Sequence, residues 1–389
     1  MRIRILSVLC ISTLAAMMGF GILLPILPIY ARDMGASGAM LGIIFSSFAV
    51  TMAISNPIVG RISDRFGYKR ILAAGLGLHV PVMLLYVYAS APWHLICIRL
   101  VEGILSAMVE TVAMAYVGSI APKDREGSYM GIFNTFLFMG FGIGPLVGGY
   151  LADAYTIHMP FYATAGFLFL AFCMVMSALP SDDSSDVRPD SRPGVQRIAF
   201  KDVWGSNLIK GMLFFSLVLA LGESGLMTFL PILVSDAQIS TTRIGILTSA
   251  IMISAGIFQY PFGRLANHVN KVFLVITGVL IVAVVLAFVP LCTTFNAFLF
   301  LSVVGGIGTA MSNPAAMAIL VRESKDTGLG FILGLYNLGM GIGMIAGPIL
   351  AGVTMDTLGI DKVFVFSSIL FVLASLVIYG YTRDIRNTL

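Results

Sequence analysis

The chain has 389 residues, of which 58% are hydrophobic and 11% are charged, with a mean hydropathy of +0.97 and a formal net charge of +4. A soluble domain carries roughly 25% charged residues, so this composition excludes a water-soluble enzyme, a disordered chain and a coiled coil as the first interpretation. The four cysteines, Cys10, Cys97, Cys173 and Cys292, lie in apolar runs without metal-ligand spacing. We interpret them as small core residues and expect no metal site.

Twelve apolar stretches are long enough to cross a membrane as helices, which takes about 20 residues each. Their apolar runs are continuous rather than alternating, which excludes a transmembrane β-barrel. The sequence therefore predicts an all-α membrane protein with twelve transmembrane helices. The predicted spans are 5–30, 38–60, 71–90, 93–119, 128–152, 159–180, 207–234, 241–263, 271–292, 295–320, 328–352 and 362–382.

A long polar stretch, residues 181–206, separates the first six spans from the last six. It is too polar and too rich in proline to pack against other elements, so we interpret it as a linker. The predicted domains are an N-terminal six-helix bundle over 1–180, a cytoplasmic linker over 181–206 and a C-terminal six-helix bundle over 207–389.

The distribution of Lys and Arg predicts the orientation in the membrane. Of the 23 basic residues, nineteen fall on the side that holds both termini, and only Arg32, Arg243 and Lys362 fall on the other side, while Arg99 lies within a span. Cytoplasmic loops carry the excess of Lys and Arg. We therefore expect both termini in the cytoplasm and a multi-pass protein of the plasma membrane, the inner membrane in a bacterium.

The two halves repeat one another at a constant offset of 203 residues. Seven residues match between Gly131–Asp153 and Gly334–Asp356, and the same offset pairs Pro28 with Pro231. Each repeat holds an even number of spans, so both insert in the same direction. Parallel repeats predict a pseudo-two-fold axis along the membrane normal, with a substrate cavity between the halves near mid-membrane.

Three motifs resemble those of the major facilitator superfamily. Residues 60–70 (GRISDRFGYKR) are similar to its signature loop between spans 2 and 3, with Tyr68 at a usual Arg position. Residues 99–103 (RLVEG) resemble the RxxQG element of span 4, with Glu102 in place of Gln. Residues 140–149 (GFGIGPLVGG) resemble the GxxxGPxxGG "antiporter" motif of span 5.

The segment 21–28 (GILLPILP) is similar to the proline pair that ends span 1 in drug exporters. The resemblance extends over essentially the whole chain, and the motifs together point to the drug:proton antiporter branch, which includes tetracycline exporters and vesicular monoamine transporters. The resemblance implies a secondary active transporter that works by alternating access and has no cofactor, since a proton gradient drives it.

The resemblance implies a cytoplasmic latch in the loop between spans 2 and 3. Asp64 would contact the N-terminus of span 11 near Gly328, where an acidic group is favoured by the helix dipole, and would stabilise the outward-open state. The alternative is a purely positive-inside anchor. The latch motif comprises Gly60, Asp64, Arg65, Gly67, Lys69 and Arg70.

The span 5 motif has two interpretations. Its small residues would allow close helix packing anywhere in a membrane, whereas the family implies a bent contact with span 8 or span 11 that seals the cavity against leak. The motif comprises Gly140, Gly144, Pro145, Gly148 and Gly149.

Four ionisable residues lie inside the spans and are the candidates for proton coupling: Glu223, Glu110, Glu102 and Arg99. Such residues usually face a cavity or a partner, because a charge at the bilayer centre costs at least about 2.5–3.5 kcal/mol. Arg99 and Glu102 could simply neutralise one another, and Glu223 could be a protonated carboxyl group bonded to a neighbouring helix. The excess of acidic over basic groups favours cationic or amphipathic substrates.

Flexible, aromatic and amide side chains in the spans are candidates to line the substrate cavity. Each of the polar ones could equally tie helices together. The candidates are Met17, Phe20, Asn134, Met227, Gln259, Tyr260, Asn313, Tyr336 and Asn337.

The favoured function is proton-coupled efflux of small amphipathic or cationic compounds. The alternatives are a dedicated carrier of one metabolite, siderophore or lipid-like molecule, and a membrane sensor that does not transport. An enzyme is disfavoured, because the sequence shows no nucleophile–base pair and no phosphate-binding loop. The expected partners are a small-molecule substrate, protons and the lipid bilayer, with no nucleic acid, and we expect a monomer.

Overall fold

The computed structural model describes residues 2–122, 125–180, 207–266, 268–323 and 329–382. Twelve long helices account for nearly all of these residues, which confirms the predicted fold class. The first six are α1 (Arg2–Asp33), α2 (Gly38–Phe66), α3 (Tyr68–Leu85), α4 (Pro92–Ile120), α5 (Glu126–Ala154) and α6 (Met159–Ala178). The last six are α7 (Asn207–Asp236), α8 (Thr241–Leu265), α9 (Lys271–Phe288), α10 (Phe295–Glu323), α11 (Leu329–Leu358) and α12 (Ile360–Thr382). The predicted linker 181–206 lies outside the described residues.

Eleven of the twelve described helices have the length and hydropathy of a membrane span. The twelfth, α4, has 29 residues and carries three ionisable side chains, Arg99, Glu102 and Glu110. Because a charged residue is costly at the bilayer centre, these three side chains require an environment inside the helix bundle. The length of α4 and its place between α3 and α5 make it a span as well.

The helices begin and end at residues suited to turns. Gly35, Gly67 and Gly359 have φ values of 88°, 95° and 92°, a left-handed conformation that glycine adopts without steric cost. Gly67 forms the whole junction between α2 and α3. Residues 60–70 are therefore two helix ends joined by one glycine, and the prediction of a loop there is wrong, since α2 continues to Phe66.

The described residues form two compact units. Unit 1 comprises those within Met1–Ala36, Ile43–Pro193 and Ser240–Ser249, and unit 2 comprises those within Ser37–Gly42, Gly194–Ile239 and Ala250–Leu389. Apart from two short segments, unit 1 holds helices of the first six and unit 2 holds helices of the last six. The first turn of α2 belongs to unit 2, and the first turns of α8 belong to unit 1.

The helix pairs of the two units correspond to one another. In unit 1, α1 packs on α5 and α6, and α3 packs on α4 and α6. In unit 2, α7 packs on α11 and α12, and α9 packs on α10 and α12. Adding six to each helix number of unit 1 gives the pairs of unit 2, so the sequence repeat is also a repeat of packing.

Candidate functional site

A buried ion pair lies at the centre of unit 1. Glu102 is fully buried on α4, and its Oε2 accepts a hydrogen bond from Arg99 Nη1 at 3.0 Å, one helical turn earlier. The hydroxyl group of Tyr86, in the short 3₁₀ turn that follows α3, donates to the same oxygen at 2.5 Å. A buried carboxylate is tolerated when it is paired and hydrogen-bonded, and Glu102 has both kinds of partner.

Aromatic rings surround the Arg99 guanidinium. It lies 4.2 Å from the ring centroid of Phe48 and 5.3 Å from that of Phe45, both on α2. A cation over an aromatic face is stabilised by about 0.5–2 kcal/mol, and most when it is removed from water. The cavity candidate Phe20 of α1 contacts Phe48 and also His79 of α3, with ring centroids 6.2 Å and 5.3 Å apart.

Several polar atoms of this cluster have no hydrogen-bond partner among the described residues. They are Glu102 Oε1, Arg99 Nε and both ring nitrogens of the fully buried His79. Buried polar atoms are nearly always satisfied by protein or water, so these four atoms are candidates to bind a buried water molecule.

Tyr86 and His79 were not among the sequence-predicted site residues. Tyr86 and His79 are seven residues apart, so both lie on one face of the same helical segment. This shared face is the sequence signal that could have suggested a common contact with α4. Without the packing of α3 on α4, however, the sequence does not show that this face meets Glu102.

Glu110 lies two turns beyond Glu102 on α4 and is half-buried. Within the part of the chain that the structure describes, it has no ion pair and no hydrogen bond. Ser106, between the two acids, donates to the backbone carbonyl of Glu102 at 2.7 Å and does not reach either carboxyl group. Glu110 is therefore separate from the Arg99 ion pair.

Unit 2 holds the remaining acidic candidate. Glu223 of α7 is half-buried, and the side chain of Thr309 on α10 lies beside its carboxyl group. Tyr336 of α11 lies within electrostatic range of Glu223 and donates to Asn313 Oδ1 of α10 at 3.1 Å. Three helices of unit 2 thus bring predicted site residues together, and Thr309 is a neighbour that the sequence did not indicate.

The other cavity candidates are placed in different environments. Met17 is buried against Gly140, whereas Asn134, Met227 and Gln259 are half-buried. Tyr260 and Asn337 are exposed. The role of these side chains in a cavity stays a prediction.

The predicted latch motif sits at the junction of α2 and α3. Asp64 Oδ1 accepts a hydrogen bond from the hydroxyl group of Tyr68 at 3.0 Å, and Gly328, its expected partner region, lies outside the described residues. Lys69 Nζ donates to the carbonyl groups of Met176 and Leu179 at 3.0 Å and 2.5 Å. A cation is favoured at the C-terminus of a helix, so Lys69 stabilises the end of α6.

The span 5 glycines face two different helices. A Cβ atom at Gly140, Gly144 or Gly148 would collide with the backbone of α1, around Leu14, Met18 and Ile22 respectively. A Cβ atom at Gly149 would instead meet the backbone oxygen of Thr241 in α8. Most of the motif therefore allows α1 and α5 to approach closely, and Gly149 lies against α8. A role of the motif in sealing the cavity stays a prediction.

A fold of two parallel six-helix repeats, with ionisable side chains inside the helix bundles, defines a membrane transport protein. A family model described as the Major Facilitator Superfamily matches residues 9–232 and again residues 212–387. The chain belongs to this superfamily and is one of its multi-pass membrane transporters.

Known relatives cover nearly the whole chain. An uncharacterized MFS-type transporter of Methanocaldococcus jannaschii is 30% identical over 377 residues, which is 96% of each chain. The multidrug resistance protein MdtG of Proteus mirabilis is 26% identical over 363 residues, with 90% of this chain and 89% of that protein covered.

Among solved structures, a bacterial homologue of the human lysosomal transporter Spinster, described as inward-facing and unoccupied, is similar in fold. Its TM-score is 0.84 at 12% identity, over 98% of this chain and 97% of that one.

Proposed function

We propose that this chain is a proton-coupled antiporter that exports small amphipathic or cationic compounds by alternating access. Glu223 is the residue that binds and releases the coupling proton. It lies near the middle of a membrane-spanning helix, where an ionised carboxyl group is costly and a protonated one is tolerated. A group with this property can take up a proton on one side of the membrane and release it on the other.

The observation that carries the proposal is the absence of a basic partner for Glu223. In the described parts of the chain, Glu223 forms no ion pair, and the polar side chain beside it, that of Thr309, is neutral. Glu102, by contrast, is neutralised by Arg99 at 3.0 Å. A carboxyl group without a fixed counter-ion can change its charge without breaking an ion pair, which makes Glu223 the better proton carrier.

The preference for cations follows from the charges of the ionisable residues inside the spans. Arg99 and Glu102 cancel, whereas Glu110 and Glu223 have no cationic partner in the described residues. A positively charged or amphipathic substrate would supply the missing charge. The similarity to a multidrug resistance protein over 90% of the chain supports the export of such compounds.

The orientation forms part of the proposal. The excess of Lys and Arg on the side of the termini supports cytoplasmic N- and C-termini and, in a bacterium, insertion in the inner membrane. Export would then move the substrate away from the side that carries both termini.

The proposal is tested with purified protein in liposomes under an imposed pH gradient. We expect labelled tetraphenylphosphonium to move against its concentration gradient and a protonophore to abolish that movement. Glu223→Gln keeps the size of the side chain but cannot exchange a proton, so it should lower uphill transport to the level of protein-free liposomes. Downhill exchange of substrate for substrate should remain.

Asp361→Asn is the matched control, because it removes an exposed carboxylate in the first turn of α12. It should transport as the parent does. Uphill, proton-driven transport by the Glu223→Gln variant at the parental rate would refute the assignment of Glu223.

A further inference from the structure

The carboxyl group of Asp153 caps a helix that belongs to the other sequence repeat. Asp153 is in the last turn of α5, and its Oδ1 and Oδ2 accept hydrogen bonds from the backbone N–H groups of Thr241 and Thr242 at 3.1 Å and 2.6 Å. These are the first two residues of α8, and all three residues lie in unit 1. The first four N–H groups of a helix have no partner within the helix, and an acidic group at this end is further stabilised by the dipole.

The second repeat makes the same contact. Asp356, near the end of α11, accepts hydrogen bonds from the N–H groups of Gly38 and Ala39 at 2.6 Å and 2.8 Å. Gly38 and Ala39 begin α2, and this contact lies within unit 2. An offset of 203 residues relates all of these positions, so the two contacts, which we term the paired caps, are equivalent.

Close backbone contacts accompany both caps. A Cβ atom at Gly149 would meet the backbone oxygen of Thr241, and one at Gly352 would meet that of Gly38. One turn further along, Gly245 and Gly42 approach the backbone oxygens of the two repeat-related prolines in the same way. Each cap thus sits beside a packed helix contact in which only glycine fits, rather than on an isolated surface.

The caps join α5 to α8 and α11 to α2, and each therefore connects a helix of one repeat with a helix of the other. Alternating access in transporters with parallel repeats moves one repeat against the other. A carboxylate that holds the N-terminus of a helix from the opposite repeat has to release it during such a motion.

We propose that Asp153 and Asp356 are positioning residues that hold the transporter in one of its two access states. The state they hold is the one closed at the end of the molecule that carries the α1–α2 and α7–α8 connections. This inference rests on transport by alternating access, but it does not depend on protons as the driving ion.

The experiment measures the separation of the repeats at the capped end. Tyr155 and Leu358 are repeat-related, 65% and 68% exposed, and close to the caps in sequence. Spin labels at Tyr155→Cys and Leu358→Cys, in full-length protein whose four native cysteines are replaced, give a distance distribution in lipid nanodiscs. In the parent we expect the short-distance population to dominate.

Loss of the caps should favour the longer distance. We expect Asp153→Asn and Asp356→Asn each to raise the ratio of long to short distances by about fivefold to tenfold, and the double variant to raise it further. Thr241→Pro removes one of the two N–H donors of the first cap without changing either carboxylate, and proline is tolerated at the first position of a helix. It should act in the same direction as Asp153→Asn. Asp361→Asn is the control and should match the parent.

A distribution in the double variant that superimposes on that of the parent would overturn the inference, as would a shift toward shorter distances. Monodisperse elution of each variant shows that it is folded, and Thr241→Pro supplies an independent measurement if an Asn variant aggregates. The experiment also distinguishes a failure of this inference from a failure of the proposed function. A shift of distances in a protein that ignores the pH gradient would support the caps and refute proton coupling, whereas intact coupling without a shift would do the reverse.

Discussion

Glu102 in unit 1 is fully buried and shares one oxygen between Arg99 and Tyr86. Glu223 in unit 2 is half-buried and lies beside a threonine hydroxyl group. The first carboxylate is compensated by a positive charge and two short hydrogen bonds, and the second is not. The comparison supports our proposal that Glu102 has a structural role and Glu223 has the coupling role, two roles that the sequence alone does not separate.

The difference is notable because the two repeats otherwise match closely. At an offset of 203 residues, Glu223 corresponds to Phe20, Arg99 to Ser302 and Glu102 to Gly305. The glycines and prolines that set the helix packing are retained in both halves, whereas the ionisable groups are not. The helix packing is thus symmetric between the two repeats, whereas the ionisable residues are not. Such a difference is expected if only one repeat binds the coupling proton.

Removal of the buried positive charge of Arg99 should have the largest effect on stability. Arg99→Ala leaves Glu102 buried without a counter-ion, which costs about 3–5 kcal/mol. We expect a large loss of yield and a thermal unfolding midpoint in detergent far below that of the parent.

The double variant Arg99→Ala/Glu102→Gln provides the control for this prediction, since it removes both charges. It should recover part of the lost stability. An Arg99→Ala protein that unfolds at the parental temperature would show that Glu102 is not held as an ion in unit 1.

Removing the hydroxyl group next to Glu102 and the one next to Glu223 compares how strongly each carboxyl group depends on its polar neighbour. Tyr86→Phe removes a buried donor to Glu102 and should cost about 1–3 kcal/mol, because one short bond to a charged group is lost. Thr309→Val removes the hydroxyl group beside Glu223 and should cost no more than about 1 kcal/mol, since that carboxyl group is half-buried. Thermal unfolding of both variants in one detergent gives the comparison, and equal losses would contradict it.

Much of the architecture could be predicted from the sequence, because membrane helices are encoded by the local pattern of apolar residues. The twelve spans and the repeat came from that pattern, although the end of α2 did not, since Ser63 to Phe66 are polar enough to suggest a loop. The site was predicted less completely. Tyr86, Thr309 and the neighbours of His79 depend on which faces of distant helices meet, and no local pattern specifies those contacts.

Glu102→Gln should have a smaller effect than Arg99→Ala. The amide oxygen of glutamine can still accept hydrogen bonds from Arg99 and Tyr86, and the rings of Phe48 and Phe45 continue to stabilise the guanidinium. We expect a loss of about 1 kcal/mol and uphill transport within about threefold of the parent. If Glu102→Gln abolishes uphill transport while Glu223→Gln does not, the structural and coupling roles are reversed between the units.

Glu110→Gln should have the smallest effect on stability and is the sharpest test of substrate charge. Glu110 is half-buried and has no ion pair among the described residues, so its neutralisation leaves no charge stranded and should change the free energy of unfolding by less than about 0.5 kcal/mol. A cationic substrate that pairs with this carboxylate would lose that attraction. We therefore expect the Kd for tetraphenylphosphonium to rise by about threefold to tenfold, while the Kd for neutral chloramphenicol stays unchanged. Glu110→Asp is the control, because it retains the charge and should retain the preference for the cation. If Glu110→Gln binds both ligands as the parent does, substrate charge is recognised elsewhere, and Glu223 is then the remaining acidic candidate without a basic partner in the described spans.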